Sequence, residues 1–568
     1  MKVHPFKKFP VWLIGALLYG ISWPLPWDVN LSFLAWFALV FLFVSLEKTI
    51  GFLRYFMTVW GFSFITHAIC SGWFLDIPTN KLLIVIGAVT ETLSFTVPFI
   101  AYYIIKKKAG FNESVFILPF LLVAGEWLYC LLEHNLGSLL ISHTQTANLW
   151  LIQYADIFGF LAVTFWVVLF NVIIYSAWVG SKLKLPAASG GESSICKEKD
   201  IGMRSLTPRQ AAGNALAIRF RPFSVVFLKK AAPIALIMIA LPLGYAAFRR
   251  HQIGRGKSDA LSIAMINTKF APTLKTFEQL EGKLDRIVEL TDSVDYYSKI
   301  NKIRHDLYVW HEGAIASGNR KEFVDFVQGA VNDWQTPLLS GMKVFEKFEA
   351  TDKEQPVNRV VLFTPDADSS GSREFYEKMH LAPGWEGIPY LSMFHKAGIR
   401  FGAEYKYHRP GDQIRLFDIR SRNRHFKIGT PLCFEVYEPS LWNRMVRLGA
   451  DCFIQVTFES WFGKTYFQKQ IAYVTRLRAI ETRRSVARCS NGGLTFFVDS
   501  FGRIYAQAPD RESSTSDFLA SSNTITFYTR HPNLFNWICL AVSGGYFLWV
   551  TGLRNFCLSV TRRNRVKR

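Results

Sequence analysis

The stretch PLCFEVYEP at residues 431–439 places Cys433 at the end of an apolar run that predicts a β-strand. Two other stretches precede it along the chain: LYVWHE at residues 307–312, which ends in Glu312, and KMHL, which begins with Lys378. A cysteine attacks as its thiolate, so a catalytic cysteine needs a base or a cationic neighbour. Glu312 is a candidate base, and Lys378 is a candidate cation for the oxyanion of a tetrahedral intermediate. The three stretches therefore predict a Glu-Lys-Cys site, provided that the fold brings them together.

Each of these residues also has an ordinary structural interpretation. A free cysteine on a strand is usually an inert core residue, because cysteine is among the most buried residue types. A single glutamate after a strand, or a single lysine in a loop, is usually a solvated surface charge. Only the order and the local context of the three residues favour the catalytic interpretation at this point.

The composition indicates a membrane protein. The chain has 568 residues, of which 50% are hydrophobic, so it is too apolar for one soluble domain and too long for one core. Since roughly 20 residues cross a bilayer upright, long apolar runs are candidate membrane spans. Eight such runs occur, at about 11–26, 31–46, 55–76, 82–105, 115–132, 157–180, 231–247 and 534–552. We therefore predict a polytopic α-helical membrane protein with about eight transmembrane helices.

The net charge of +21 does not indicate a nucleic-acid partner, because the positive charges lie beside alternate ends of the apolar runs, as the positive-inside rule describes. Lys7 and Lys8 precede the first run, and three lysines at 106–108 separate the fourth run from the fifth. With the N-terminus in the cytoplasm, seven crossings place the large polar region on the outer face.

The predicted domains are transmembrane helices one to six at 1–180, a basic cytoplasmic linker at 181–230, helix seven at 231–250, an extracytoplasmic catalytic domain at 251–533, helix eight at 534–556 and a basic cytoplasmic tail at 557–568.

In the outer region, short β-rich runs alternate with helical segments, which is typical of a layered α/β domain. The predicted strands are 261–267, 306–310, 360–363, 426–436, 452–457, 494–499 and 524–528. The predicted helices are 276–300, 439–448 and 466–484.

The eight cysteines show neither a CxxC pair nor metal-ligand spacing, and the chain has no Walker loop, HExxH motif or dinucleotide glycine fingerprint. We therefore predict no metal and no dissociable cofactor. A disulfide framework is not expected, although a bridge between Cys452 and Cys489 in the outer region remains open.

Six motifs resemble one family in the same order along the chain. WHE at 310–312, KMHLAPGWE at 378–386 and CFE at 433–435 are similar to signatures of the membrane branch of the nitrilase superfamily. WFG, RAIE and NGG, which begin at Trp461, Arg478 and Asn491, are similar to its later signatures. The family is apolipoprotein N-acyltransferase. The resemblance implies a nitrilase-type αββα sandwich outside the membrane.

The resemblance also implies a reaction and a set of roles. Cys433 would take an acyl chain from a phospholipid as a thioester and pass it to the α-amino group of a diacylglyceryl-cysteine apolipoprotein. Glu312 would be the general base and Lys378 the cation that stabilises the intermediate. The supporting residues would be Glu386 and Glu435, and the candidate substrate-binding residues are Trp310, Phe434 and Trp461.

The chain departs from the family pattern at several positions: His311 replaces Pro, Phe434 replaces Tyr, Phe458-Glu459 replaces Asn-Asp, and Tyr129 replaces Arg.

The resemblance places the protein in a bacterial inner membrane as a multi-pass protein, with the catalytic domain on the periplasmic side. The partners would be the phospholipid donor, the apolipoprotein acceptor and membrane lipid; the oligomeric state is open, with a monomer expected. Two alternatives stay open: a membrane-anchored nitrilase-like amidase, in which water replaces the amine, and a non-catalytic transporter or scaffold.

Overall fold

The computed structural model describes residues 10–25, 29–73, 81–182, 225–255, 259–272, 276–348, 353–366, 373–399, 407–421, 424–463 and 465–553. Most of the predicted linker at 181–230 and all of the predicted tail at 557–568 lie outside the described residues.

Helices make up most of the first 182 residues and return on either side of the α/β region. The helices before that region are α1 Val11–Gly20, α2 Ala35–Glu47, α3 Phe52–Cys70, α4 Lys81–Ala109, α5 Phe111–Ser114, α6 Leu118–Cys130, α7 Ala155–Phe158, α8 Leu161–Lys182 and α9 Val225–Arg255. The later helices are α10 Phe277–Ile300, α11 Lys321–Trp334, α12 Leu391–Lys396, α13 Pro439–Arg447, α14 Phe467–Thr482, α15 Phe527–Arg530 and α16 Leu534–Leu548.

All eight apolar runs contain helix, but their helices differ in length. In the part of the chain that the structure describes, four segments are long and apolar enough to cross a membrane: Phe111–Cys130, Leu161–Trp178, Ala232–Ile253 and Leu534–Gly552. Two shorter apolar helical segments occupy Val11–Gly20 and Ser32–Glu47. The chain is therefore a helical protein with several candidate spans, and the count of eight stays a prediction.

Two six-stranded sheets form the α/β region. The strands are β1 Ala260–Asn267, β2 Leu307–Val309, β3 Leu338–Phe348, β4 Lys353–Phe363, β5 Phe375–Glu377, β6 Phe417–Ser421, β7 Arg424–Gly429, β8 Cys452–Phe458, β9 Val486–Asn491, β10 Phe496–Val498, β11 Ile504–Gln507 and β12 Ser513–Ala520. The first sheet has the order β12-β1-β2-β3-β4-β5, and the second has the order β11-β10-β9-β8-β7-β6.

The layer order follows from the alternation of side chains along the strands. In β1, Leu261, Ile263 and Met265 belong to the central core, which also includes strands of the second sheet. Ala264 and Ile266, which alternate with these residues along the strand, face the opposite way and pack with side chains of α10 and α11. Because α13 and α14 pack with the second sheet, the layers are helix, sheet, sheet and helix, as predicted.

Two of the strand predictions need correction. The predicted strand at 524–528 is wrong, because Thr526 caps α15: its hydroxyl accepts from the N–H of Thr529 at 3.0 Å. The predicted strand at 426–436 ends at Gly429, and residues from Cys433 onward form a 3₁₀ turn.

The bridge left open between Cys452 and Cys489 does not form. Both cysteines are free and buried. They lie on the adjacent parallel strands β8 and β9, where Cys452 and Cys489 are displaced from each other along the pair: the register partner of Cys489 is Val456.

Polar contacts join the helical region to the α/β region. The Tyr466 hydroxyl donates to the Ile69 carbonyl at 2.8 Å, and the Gln470 amide donates to the Cys70 carbonyl at 2.9 Å, both at the end of α3. A further contact is a buried ion pair, in which Asp156 accepts a hydrogen bond from Arg483 Nε at 2.9 Å. These contacts hold one face of the α/β region against the helices.

Candidate active site

Glu312, Lys378 and Cys433 meet at one edge of the two sheets. Glu312 lies in the turn after β2, and Lys378 directly follows β5, so both come from the first sheet. Cys433 begins the 3₁₀ turn Cys433–Tyr437 after β7 of the second sheet. Lys378 Nζ lies 3.2 Å from Glu312 Oε1, and the Cys433 thiol lies near enough to both groups to influence their pKa values. The fold therefore brings together the three residues selected from the sequence.

The turn that carries Glu312 is tightly packed. Gly313 has a φ of 61°, a left-handed conformation that glycine adopts readily. Gly341 of β3 lies under the turn, and a Cβ there would come within 2.5 Å of the Glu312 Cα. The His311 ring donates from Nδ1 to the Glu312 carbonyl at 2.7 Å.

Lys378 is at the centre of a buried polar cluster. Its ammonium contacts Glu312 and also Glu386, whose Oε2 lies 2.8 Å from Nζ. The Asn358 amide donates to Oε1 of Glu386 at 2.7 Å and to Oε1 of Glu312 at 3.2 Å. The backbone N–H of Ala382 donates to Glu386 Oε2 at 2.8 Å. One ammonium is thus shared by two carboxylates.

This sharing separates the pKa values of the two carboxyl groups. Burial and the neighbouring charge of Glu386 raise the pKa of Glu312, although Lys378 opposes the shift. Burial also disfavours ionisation of Glu386, but there the positive charges of Lys378 and His408 prevail and lower its pKa. A carboxyl group with a raised pKa beside a thiol is suited to general-base chemistry near neutral pH.

The nucleophile candidate has a special backbone conformation. Cys433 has a φ of 43°, which costs a residue with a side chain on the order of 1–3 kcal/mol. Its side chain is half-buried. Burial and the charge of Glu312 raise the pKa of the thiol well above its ordinary value. The resting group is therefore the thiol, and it needs a base for attack.

Glu435 connects the turn of Cys433 with the segment that follows Lys378. Its Oε2 accepts from the Leu432 N–H at 2.7 Å, while its Oε1 accepts from the N–H groups of Met379 at 2.8 Å and His380 at 3.1 Å. The Tyr376 hydroxyl donates to the same carboxylate. Burial raises the pKa of Glu435 to about 7. Its partners are all donors, so they favour the ionised form.

Two family models match the chain. The apolipoprotein N-acyltransferase N-terminal domain matches residues 15–173, and the carbon-nitrogen hydrolase model matches residues 278–527. An apolipoprotein N-acyltransferase from Chlorobaculum tepidum is 30% identical over 95% of this chain and 95% of its own length.

The chain belongs to the apolipoprotein N-acyltransferase family. A second member, from Geobacter metallireducens, is 23% identical over 94% of each chain. Among solved structures, Saccharomyces cerevisiae Nit3 of the nitrilase superfamily covers 50% of this chain and 94% of its own, at 18% identity and a TM-score of 0.33. The family predicted from the six motifs is confirmed.

The three candidate substrate-binding residues lie in different settings. Trp310 is fully buried against α10, where its indole N–H donates to the Thr291 hydroxyl at 3.0 Å. It supports the Glu312 turn from behind and does not line the site. Phe434 is partly buried, with its ring 5.2 Å from that of Tyr437, and Trp461 is 40% exposed.

An aromatic wall, which we define as Trp73, Trp385, Phe462 and Phe467, connects the end of α3 with the catalytic cluster. The Trp73 ring lies 4.1 Å from that of Phe467 and 5.7 Å from that of Phe462, and the Trp385 ring lies 6.3 Å from that of Phe462. Trp385 adjoins Glu386, so packed rings run from the helical region to the site; Trp73 and Phe467 are buried, and Phe462 and Trp385 are partly buried.

The departures from the family pattern have partners of their own. Glu459, in place of Asp, forms a fully buried ion pair with Arg488. Tyr129, in place of Arg, donates its hydroxyl to Glu91 at 2.5 Å. Tyr129 is therefore paired, whereas Glu459 is only half satisfied, because its Oε2 is buried without a hydrogen-bond partner among the described residues.

Sequence reasoning missed Asn358 and Tyr376. Asn358 lies on β4 and Tyr376 on β5, and both donate to carboxylates of the site. No local signal singles out Asn358, because its strand carries several other polar residues. Among the described residues, no group of three or more His, Cys, Asp or Glu side chains could hold a metal ion.

Proposed function

We propose that this protein transfers an acyl chain from a phospholipid to the N-terminal amine of a diacylglyceryl-cysteine apolipoprotein, through a thioester on Cys433. The observation that carries the proposal is the convergence of Cys433, Glu312 and Lys378 in one cluster next to the aromatic wall. Family membership supports the reaction class.

In the first step, Glu312 takes the proton of the Cys433 thiol, and the sulfur attacks an ester carbonyl of the phospholipid. Lys378 and the backbone N–H of Phe434, in the first turn of the 3₁₀ segment, are placed to stabilise the oxyanion. The carbon–oxygen ester bond then breaks. The lysophospholipid leaves with the proton that Glu312 held, and the acyl group remains on sulfur.

In the second step, the lipoprotein amine attacks the thioester while Glu312 accepts a proton from nitrogen. The carbon–sulfur bond breaks, an amide forms, and the thiol is restored. A thioester divides one difficult transfer into two easier ones, because it reacts readily with an amine. No redox change occurs in either step.

The membrane supplies both substrates. The positive charges beside alternate apolar runs orient the α/β region toward the outer face, which corresponds to the periplasmic side of a bacterial inner membrane. Phe462 and Trp385, the partly buried members of the aromatic wall, provide apolar contacts beside the catalytic cluster against which an acyl chain can pack.

The test begins with the full chain in bilayer nanodiscs that contain phosphatidylethanolamine with a radiolabelled acyl chain. The label should accumulate on Cys433 as a hydroxylamine-sensitive thioester. Cys433→Ser should abolish that label, and Cys130→Ser, at a partly buried cysteine of α6, should load like the unsubstituted protein. An unsubstituted protein that takes up no label would overturn the proposal.

The second arm adds a diacylglyceryl-cysteine peptide to the loaded protein. The label should move to the peptide amine as a hydroxylamine-resistant amide. Release of the label only as free fatty acid would instead identify the amidase-like alternative, in which water discharges the thioester.

A further inference from the structure

Lys283 is a buried lysine in an unusual setting. It lies on α10, near the capped N-terminus of the helix, and is only 6% exposed. Lysine is rarely buried to this degree unless it is paired. In the described part of the chain, no carboxylate lies within ion-pair distance of its ammonium, so another interaction must account for its position.

The Lys283 ammonium is held by a backbone carbonyl and aromatic rings. Its Nζ donates to the Gly313 carbonyl at 2.7 Å. The same nitrogen lies 5.4 Å from the Phe270 ring centre and 5.6 Å from that of Phe458, distances typical of cation–π contacts. His311 completes this surround, since its ring lies 5.9 Å from the rings of both phenylalanines.

Burial lowers the pKa of Lys283 to about 7. The bond to Gly313 does not depend on the charge, because an amine and an ammonium both carry N–H donors. Burial, together with Lys283, also lowers the pKa of His311, so its ring is neutral and Nδ1 can donate to the Glu312 carbonyl. Two consecutive carbonyls, those of Glu312 and Gly313, are therefore fixed by side chains.

We propose that Lys283 is a positioning residue that holds the turn of Glu312 in the orientation needed to deprotonate Cys433. It acts from the helical layer behind the first sheet and does not touch substrate. The turn has little freedom on its other side, where Gly341 leaves no space even for a Cβ. Losing the bond to Gly313 would release the turn only toward α10, away from the cluster. This inference rests on the proposed function.

The test compares Lys283→Met with Lys283→Arg in the nanodisc loading assay. Methionine keeps the apolar stem but cannot donate, so single-turnover loading should slow by about 10- to 100-fold, the cost of a base displaced by about 1 Å. The phospholipid concentration for half-maximal loading should not change, because no substrate contact is lost. Arginine retains N–H donors and should recover most of the rate. Lys299→Met, at an exposed lysine of the same helix paired with Asp295, is the matched control and should load normally.

A double-mutant cycle distinguishes positioning from general support of the fold. In a Glu312→Gln background, Lys283→Met should cause no further loss, since the residue it positions is already inactive. An equal loss in both backgrounds, or normal loading by Lys283→Met, would overturn the inference. If Lys283→Met does not fold, Lys283→Gln, whose side chain is too short to reach the Gly313 carbonyl, takes its place in the cycle with the same expected outcomes. A slow Lys283→Arg variant that folds normally would also count against the inference. Failure of the unsubstituted protein to load would instead reject the proposed function itself.

Discussion

The two sheets hold their catalytic groups in different ways. The first sheet provides Glu312 and Lys378, which are almost fully buried: Glu312 accepts a hydrogen bond from Asn358, and Lys378 donates one to Glu386. The second sheet provides Cys433, which is half-buried and whose position is set by a left-handed backbone conformation. A base and a cation need fixed charges in a desolvated cluster, whereas a nucleophile that must carry an acyl chain needs open space around its sulfur. Glu435 joins the two arrangements, because it accepts hydrogen bonds from both sides.

Glu312→Gln removes the base from the first sheet and should have the largest effect. Glutamine has nearly the same shape but cannot take the thiol proton, and burial keeps that thiol protonated. Loading of Cys433 should fall by about 10²- to 10⁴-fold, the usual contribution of a general base. The initial rate of hydroxylamine-sensitive label measures this loss.

The control for this prediction is Glu289→Gln, at an exposed glutamate of α10 that pairs with Arg286. It should load normally. A Glu312→Gln variant that loads within about threefold of the unsubstituted protein would show that the thiol loses its proton to another group.

Gly341→Ala should disturb the first sheet without removing any polar group. The new Cβ would come within 2.5 Å of the Glu312 Cα and 2.6 Å of the His311 carbonyl, so the turn must move. Such overpacking costs about 1–3 kcal/mol of stability, and the displaced base should slow loading by about 10²-fold. Gly329→Ala, on α11 where nothing lies within 4 Å of an added Cβ, should load normally. Equal loading by the two alanine variants would contradict the tight packing of the turn.

Glu435→Gln should weaken the connection between the sheets. One glutamine NH₂ would face either the Leu432 N–H or the N–H groups of Met379 and His380, which now bind carboxylate oxygens. A buried donor without an acceptor costs about 1–3 kcal/mol. We expect a lower thermal unfolding temperature and loading reduced by about 10-fold, measured on the same nanodisc sample. Unchanged unfolding and unchanged loading together would refute the connecting role.

The sequence predicted the family, the layered fold and the three central residues, because each depends on a short motif or a local pattern. It could not reveal Asn358 or Lys283. Asn358 reaches Glu312 across 46 residues of sequence, and Lys283 reaches Gly313 across 30. Such contacts arise only when strands and helices assemble, so no local pattern encodes them.

The errors in the predicted strands have a similar cause. β12 was missed because Ser and Thr occupy both its half-buried and its exposed positions, so no apolar alternation marks it, and its strand form depends on pairing with β1, more than 240 residues earlier. The segment at 524–528 has β-forming residues, yet the Thr526 cap makes it begin a helix. Composition likewise identified apolar helices but not how many cross the membrane, since α1 has only 10 residues.

Glu386→Gln should produce the smallest effect, a shift in the pH dependence of loading. Glu386 raises the pKa of Glu312 and competes with it for Lys378. Removing this charge should therefore lower the pKa of Glu312. Since the base acts when deprotonated, loading increases as pH rises through that pKa, and the ascending limb should move to lower pH.

The matched control for the pH shift is Glu374→Gln, at an exposed glutamate just before β5, which should leave the ascending limb in place. Loading rates measured in steps of half a pH unit would resolve the difference. A limb that moves to higher pH would mean that Glu386 chiefly holds Lys378 toward Glu312. The first sheet would then act through the position of its cation and not through the sharing of one charge between two carboxylates.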